Sequence, residues 1–433
     1  MALTWIPDIS PDTPFSLANI PFGIISSSAD PTPHAAIAIG SSVLDLKVLS
    51  GYGSFAEIFP ALKEHRDVFS KPTLNDFAAL GRPIHREVRG TIQDLLSNET
   101  SRPEVLKDNA ELREKALLSQ RSVKMHLPMS IGDYTDFYAG FHHAYTVGSL
   151  FRGPQTALQP NYTHLPVGYH GRASSIVVSG TPVKRPWGQI IIDQAAEPKQ
   201  PTTAPSRLLD MELELGCFIA TPNNMGSSIK VTDAEDHIFG YVLLNDWSAR
   251  DIQSWEYVPL GPFNSKNFAT SISPWVVLAD ALEPFRSKGV DNWTPLQGYL
   301  NEGKEENVFA IDLQIDLETP QGDSTTICKT SSKYLLWSFP QMIAHHSLGG
   351  CPLRTGDLLG SGTISGPTLQ ERGSLLELSE GGKKDIMLYG MDVRRYLKDG
   401  DQVTIRGICG QSGAKVGFGE CVGRVIEAGA SPL

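Results

Sequence analysis

The sequence predicts a mainly β protein of sandwich or roll type, and three observations carry that prediction. From about residue 122 onward, short apolar runs recur: "SSIVVSG", "HIFGYVLLN", "ISPWVVL", "FAIDLQIDL", "DLLGSGTISG", "DQVTIRG" and "VGRVIEA". Turn residues separate them, drawn from a chain with 40 Gly and 30 Pro. Helical patterns are too few to alternate with the strands as βαβ units require.

Taken in order, residues 1 to about 95 read as short strands broken by Pro and Gly. "HAAIAIGSSVLDLKVL" follows the turn signal "DPTP" and reads as a hairpin. "SRPEVLKDNAELREKALLSQ" is a helical pattern, with Ser101 as cap, Pro103 in the first turn and Val105, Leu106, Leu112, Ala116 and Leu117 near helical spacing. It ends before "SVKMHLP", and there we place a boundary between a first domain, 1–121, and a second, 122–433. Within the second, helices are expected after Asn245 and around "FPQMIAHHS". The Pro-rich "AAEPKQPTTAP" is expected as a surface loop. No fixed-period repeat and no low-complexity block occurs.

Composition excludes several classes. Net charge is −11, which argues against nucleic acid or an anionic membrane as a partner. No run of roughly 18 apolar residues exists, so no membrane-spanning helix is expected. The N-terminus lacks the basic and apolar regions of a secretory signal. Five cysteines without CxxC spacing read as reduced thiols, and the expected location is cytoplasmic. The sequons at Asn98, Asn161 and Asn292 are then chance matches. No P-loop, G-x-G-x-x-G, G-x-S-x-G or H-E-x-x-H is present.

Three clusters remain that carry chemistry. In "LLDMELELG", Asp210, Glu212 and Glu214 share one parity, so a strand there lines up three carboxylates. A hard divalent cation would relieve their repulsion; a solvated acidic edge strand is the simpler reading of this segment by itself. In "IGDYTDFYAGFHHAYTVGSLFRG", Asp133 and Asp136 add oxygen ligands, while Tyr138, His142, His143 and Arg152 add a base and anion binders; a polar loop is the alternative. In "VLLNDWSARDIQSWEYVPLGPFNSKNF", Asp246 ends an apolar strand, Ser248 and Asp251 form an expected capping box, and Lys266 follows in a loop. Arg250, Gln253 and Tyr257 share an arc of roughly 60° on the expected helix, a stripe suited to carbonyl or carboxylate oxygens. His345 and His346 are expected to be packing or interface residues.

Together, "IGDYTDFY", "HLPVGYHGRASS", "LLDMELE", "NDWSARDIQ" with "WEYVPLGPF", and "SGTISG" resemble the fumarylacetoacetase family. The motifs run in family order over about 122 to 380, and the match is looser in the first domain and the last fifty residues. The resemblance implies a small SH3-like N-terminal barrel, a larger mixed β-sandwich roll and a homodimer. It implies hydrolysis of the carbon–carbon bond of 4-fumarylacetoacetate to fumarate and acetoacetate, the last step of tyrosine and phenylalanine catabolism. By the same resemblance, Asp136, Glu212, Glu214 and Asp246 would ligate the metal. His143 would be the general base, oriented by Glu377. Arg250, Gln253 and Lys266 would stabilise the reacting oxygens. Tyr138, Arg152, Tyr169, Tyr257 and Thr363 would join Arg250 and Gln253 in binding substrate. Lys266 and Thr270 would also sit at a structural cation. Asp210, on the same parity as the two glutamates, is left with a structural role.

Carboxylate ligation points to Ca²⁺ or Mg²⁺ rather than zinc. The resemblance favours Ca²⁺ at the catalytic site, with Mg²⁺ as a second or alternative cation. His142 stands where the family form has Gln, so the base could fall on either histidine, and register favours His143. Two rivals remain. One is an acylpyruvate-type hydrolase or other keto-acid enzyme of the same superfamily; the other is a non-catalytic β protein stapled by a cation.

Overall fold

The computed structural model describes residues 4–52 and 55–431, and its main sheets are one of eight strands and two of five. The expected hairpin forms. His34–Ile39 pairs antiparallel with Ser42–Asp45, and Gly40 supplies the positive φ (58°) of its tight turn. Phe22–Ser27, Leu117–Ser119 and Val123–His126 complete an antiparallel five-stranded sheet.

Two helical expectations change in this region. Arg82–Leu96 is a 15-residue helix where short strands were expected. Gly81 precedes it with φ 84°, Pro83 sits in its first turn, and Val88, Ile92, Leu95 and Leu96 bury one face. The helix expected from Ser101 shrinks to Ala110–Ala116, because the Asn109 side chain, not Ser101, accepts the capping bond from Leu112 N–H. Ser101 instead bonds to Asp94.

The second region is built on an eight-stranded sheet and a five-stranded sheet. In the larger, the consecutive neighbours are Gly168–His170, Tyr134–Phe137, Leu358–Gly360, Leu213–Ile219, Ile238–Asp246, Thr270–Ile272 and Ile176–Val178, with Val277–Leu278 also on Ile238–Asp246. The smaller contains Ser324–Ser331, Asp312–Glu318, Gln402–Cys409, Val416–Ile426 and Val183–Lys184. The expected acidic strand is broken after Asp210: Leu209–Asp210 pairs with Ser248–Ala249, Glu212 makes a single bridge to Ser374, and Leu213–Ile219, which carries Glu214, is paired on both sides, with all three acidic residues buried. That removes the solvated-edge reading.

Strand alternation distributes the core. Leu213, Leu215, Tyr241 and Leu243 face one hydrophobic cluster, together with Leu313, Ile315 and Phe418 of the smaller sheet. Phe218, Val242 and Leu244 face a second, shared with Phe22, Phe69 and Phe77 of the N-terminal region. The N-terminal strands thus pack on one face of the large sheet. Phe22 also joins it through reciprocal backbone bonds with Val276 (2.9 and 2.7 Å).

Three further details differ from expectation. "AAEPKQPTTAP" is not wholly loop, since Pro201–Pro205 pairs with Trp187–Ile191. The capping box at Ser248 and Asp251 does not form: Ala249 precedes Arg250–Glu256, and Asp251 accepts instead from Ser206 Oγ (2.6 Å) and Arg207 N–H (2.6 Å). Finally, Phe141–Arg152 is a 12-residue helix rather than a loop.

Candidate active site

The sheet brings three acidic residues from distant segments to one end. Asp136 lies in Tyr134–Phe137, opposite Gly360 of the parallel neighbour. Glu214 lies near the start of the next strand, and Asp246 is the last residue of the strand after it. One carboxylate oxygen from each of Asp136, Glu214 and Asp246 falls within 4.8 Å of the other two, and all three residues are buried. At that spacing and an effective dielectric near 20, each ionised pair repels by roughly 3 kcal/mol. Burial first, then the neighbouring carboxylates, pushes Asp136 and Glu214 well above the ordinary carboxylate range. Asp246 is raised as well, with Lys266 opposing the shift.

The backbone accommodates this cluster closely. Gly362 N–H donates to Asp136 Oδ1 (3.2 Å) and to Glu214 Oε2 (3.2 Å). A Cβ on Gly360 would lie 2.7 Å from Asp136 Oδ1 and 3.0 Å from Glu214 Oε2, so only glycine leaves this space open. Glu214 Oε1 is buried with no hydrogen-bond partner. A clustered, all-oxygen donor set with an orphaned carboxylate oxygen fits a hard divalent cation.

Glu212 lies beside this triad, with both oxygens engaged. Oε1 accepts from Arg250 Nη2 (2.8 Å), and Oε2 from Lys266 Nζ (2.5 Å). Burial opposes its charge, but Lys266 and then Arg250 outweigh that and hold it far below the usual range. Lys266 Nζ also donates to Asp246 Oδ2 (2.6 Å), as does the Tyr169 hydroxyl (3.2 Å), while Thr270 Oγ1 donates to Asp246 Oδ1 (3.3 Å). Against burial, Asp246 and Glu212 keep Lys266 charged, and Glu212 and Asp210 do the same for Arg250. Among the described residues, Arg250 and Lys266 form ion pairs with Asp210, Glu212 and Asp246, and no ion pair reaches Asp136 or Glu214, so the fully ionised group carries an excess of negative charge that a divalent cation would largely offset.

The second half of the site is a histidine–carboxylate pair. His143, on the helix Phe141–Arg152, donates from Nδ1 to Glu377 Oε2 (2.7 Å), and both side chains are almost wholly buried. Nε2 is then the nitrogen left to accept a proton. Ser365 Oγ (2.8 Å) and Ser374 Oγ (2.9 Å) donate to the same Glu377 oxygen. Burial works against the Glu377 charge, yet the neighbouring His143 and the bonds from His143 and Ser365 hold it below the ordinary range. The Tyr138 ring meets the His143 ring edge-on at 5.4 Å. His142 turns the other way, its ring against Tyr334 at 5.2 Å.

Other expected residues are placed less centrally. Gln253 Oε1 accepts from Arg250 Nη1 (3.1 Å), so these two do share a stripe. Tyr257, the third member, is 53% exposed beyond the helix end. Arg152 bonds the carbonyls of Thr156 (3.1 Å) and Ala157 (2.5 Å). Thr363 is buried between Gly140 and Gly373. Asp133 is mostly exposed, 3.8 Å from Arg354. Ser365 and Ser374 escaped the sequence reading, although both flank expected residues; hydroxyls carry no spacing signal of their own. His346 bonds Thr135 Oγ1 (2.9 Å), and His345 bonds the Tyr299 hydroxyl (3.0 Å), as packing residues do.

Comparison with known proteins bears on this arrangement. Residues 18–128 match the fumarylacetoacetase N-terminal model, and residues 134–426 the fumarylacetoacetate (FAA) hydrolase C-terminal model. The chain is 56% identical over 427 residues to the fumarylacetoacetase of Aspergillus fumigatus, covering 98% of each chain. It is 49% identical over 421 residues to that of Caenorhabditis elegans, covering 96% of this chain and 97% of the relative. With the human fumarylacetoacetase the figures are 47% over 429 residues, 98% and 99%. In fold it resembles the solved fumarylacetoacetate hydrolase of Exiguobacterium antarcticum, with TM-score 0.52, 16% identity, and coverage of 94% of this chain and 99% of that one. By its sequence, along nearly its whole length, the chain belongs to the fumarylacetoacetate hydrolase family.

Proposed function

We propose that the protein hydrolyses 4-fumarylacetoacetate to fumarate and acetoacetate, with the paired centres described above as its machinery. The near full-length identity to fumarylacetoacetases supports the reaction, which places the enzyme at the end of tyrosine, and by our reading phenylalanine, catabolism. The observation that carries the residue assignment is the buried His143–Glu377 pair.

Cleavage beside a ketone needs a nucleophile at the carbonyl and a stabilised carbanion leaving group. His143 Nε2 takes a proton from water, while Glu377 fixes the tautomer and stabilises the imidazolium. The hydroxide adds to the ketone carbon. Arg250, Gln253 and Lys266 form a polar field for the resulting oxyanion. The carbon–carbon bond then breaks, its electron pair leaves as the acetoacetate enolate, and the proton held by His143 is available to it. Tyr138, Arg152, Tyr169, Tyr257 and Thr363 bind the substrate. Asp136, Glu214 and Asp246, joined by Glu212 through the lone pairs not taken by Arg250 and Lys266, would hold a cation, which we assign as Ca²⁺, with Mg²⁺ as a second or alternative cation near Lys266 and Thr270. When bound, it would supply Lewis-acid polarisation of the diketone oxygens.

We further infer a chain divided near residue 121, an SH3-like curl in the N-terminal five-stranded sheet, and a homodimer in the cytoplasm. The exposed apolar side chains of Val258, Leu260 and Phe263 support self-association. Cysteines present as free thiols suit a reducing compartment.

The test follows loss of the substrate's diketone absorbance with purified protein, with and without EDTA. Turnover is expected with cation and is expected to stop with chelator. No loss of absorbance with cation present sinks the assignment. His143→Ala should lower kcat by about three orders of magnitude or more while the circular dichroism spectrum is kept. If His142→Ala does so instead, the base has been misassigned.

A further inference from the structure

Asp210 is, like Glu214, fully enclosed, with 0% exposure, and nothing in the reaction above uses it. Its carboxylate is divided between two structures. Oδ2 accepts from Arg250 Nε (2.8 Å) and from Leu376 N–H (3.0 Å). Oδ1 accepts from Leu375 N–H (2.7 Å) and from Met211 N–H (2.8 Å). Leu375 and Leu376 open the turn Leu375–Leu378 that carries Glu377. An ion pair alone would explain the Arg250 contact, and a backbone cap alone would explain the other. Both on one buried carboxylate fix the guanidinium relative to Glu377, and through Glu377 relative to His143.

We propose that Asp210 is a positioning residue that holds the oxyanion-binding Arg250 and the His143–Glu377 pair in a single geometry. This rests on the roles given above to those three residues. The neighbouring contacts fit it. Arg250 N–H donates to Leu208 O (2.9 Å), and Leu397 N–H to Leu209 O (2.8 Å). The peptide leading to Asp210 is thereby anchored on both sides, so the carboxylate is a fixed reference rather than a follower of its partners. Charge alone is insufficient as its purpose, because Glu212 already neutralises Arg250 at 2.8 Å.

The test uses Asp210→Asn, which keeps size and shape but cannot accept all four donors. A misplacement on the order of 1 Å can cost roughly a hundredfold in rate. The expectation is a fall in kcat of roughly tenfold to a hundredfold, with KM changed by less than about threefold. The double variant Asp210→Asn, Glu377→Gln should lose less than the product of the single losses, because the two act on one element. An unchanged kcat with a lowered melting temperature, or losses that multiply, would overturn the proposal. A crystal structure of Asp210→Asn gives a reading independent of turnover. Displacement of both Arg250 and Glu377 supports the proposal, and either one staying in place defeats it, even if the substrate assignment itself fails. Should the variant not fold, amide exchange on the unsubstituted protein decides: Leu375 and Leu376 must be among the slowest-exchanging amides outside the sheets, and rapid exchange refutes the link.

Discussion

A buried cluster of three carboxylates depends on what is withheld from it as much as on what lines it. Gly360 leaves the volume that a methyl group would fill at 2.7 Å from Asp136 Oδ1 and 3.1 Å from the Tyr134 hydroxyl. Tyr134, almost wholly buried, has a hydroxyl without a partner, as does Glu214 Oε1. These groups are arranged for something that brings positive charge. Gly360→Ala should therefore weaken Ca²⁺ or Mg²⁺ binding by about tenfold or more, the range seen when the surroundings of metal ligands are disturbed. Isothermal titration calorimetry checks this, and an unchanged affinity would mean that the cation sits elsewhere. At this scale the sequence was legible in kind but not in pairing. Parity put Asp210, Glu212 and Glu214 on one side of a strand, but partners far along the chain sort them into roles. Arg250 and Lys266, 38 and 54 residues away, take Glu212. Leu375 and Leu376, 165 and 166 away, take Asp210. Local pattern carries no record of such contacts.

Elements whose signals are local were read more easily than elements held by tertiary packing. The hairpin at residues 34–45 announced itself through alternation and a glycine turn. The helix Arg82–Leu96 did not, because Ile84, Val88, Thr91 and Ile92 favour strands while Gly90 weakens a helix. Its Pro83 and its buried face at Val88, Ile92 and Leu95 were the available signals. What commits the segment is burial, and His85 records it. The ring is 2% exposed, donates from Nε2 to Phe77 O (2.9 Å), and lies edge-on between Phe77 and Phe239. Burial lowers its pKa to about 4, against the stabilising bond to Phe77. The unfolded chain has an ordinary histidine, near 6.5, and so binds the proton first as pH falls. Stability from neutral His85 is complete above about 6.5 and is lost progressively as pH drops toward 4, by an amount on the order of 3 kcal/mol. His85→Gln keeps a donor for Phe77 O but cannot titrate. Denaturant unfolding from pH 7 to pH 4 should show a shallower loss of stability in the variant, and parallel curves would mean that His85 is not the group responsible.

The whole molecule is tied together along one face of the large sheet. On the strand that supplies Glu214, even-numbered positions run from that carboxylate through Gly216 to Phe218, and Phe218 belongs to the cluster containing Phe22, Phe69 and Phe77 of the N-terminal region. The same holds for the neighbouring strand, where Val242 and Leu244 lead to Asp246. The acidic cluster thus stands at the end of the core that joins the two regions. The second region has a cluster of its own, from Phe137 to Val425, while the N-terminal region shares its main cluster with the large sheet. Phe239 is a direct probe of that join. It is 1% exposed on the large sheet and meets Phe77 edge-on at 5.9 Å and His85 at 5.0 Å, both from the N-terminal region. Truncating a buried phenylalanine costs about 3–5 kcal/mol. If the regions share one core, Phe239→Ala lowers the stability of both together, and calorimetry shows one endotherm before and after the change, at a lower temperature in the variant. If each region were stable alone, the loss of Phe239 would uncouple them and two endotherms would separate. A single displaced transition is the expected result, because the atoms removed contribute to packing on both sides of the join.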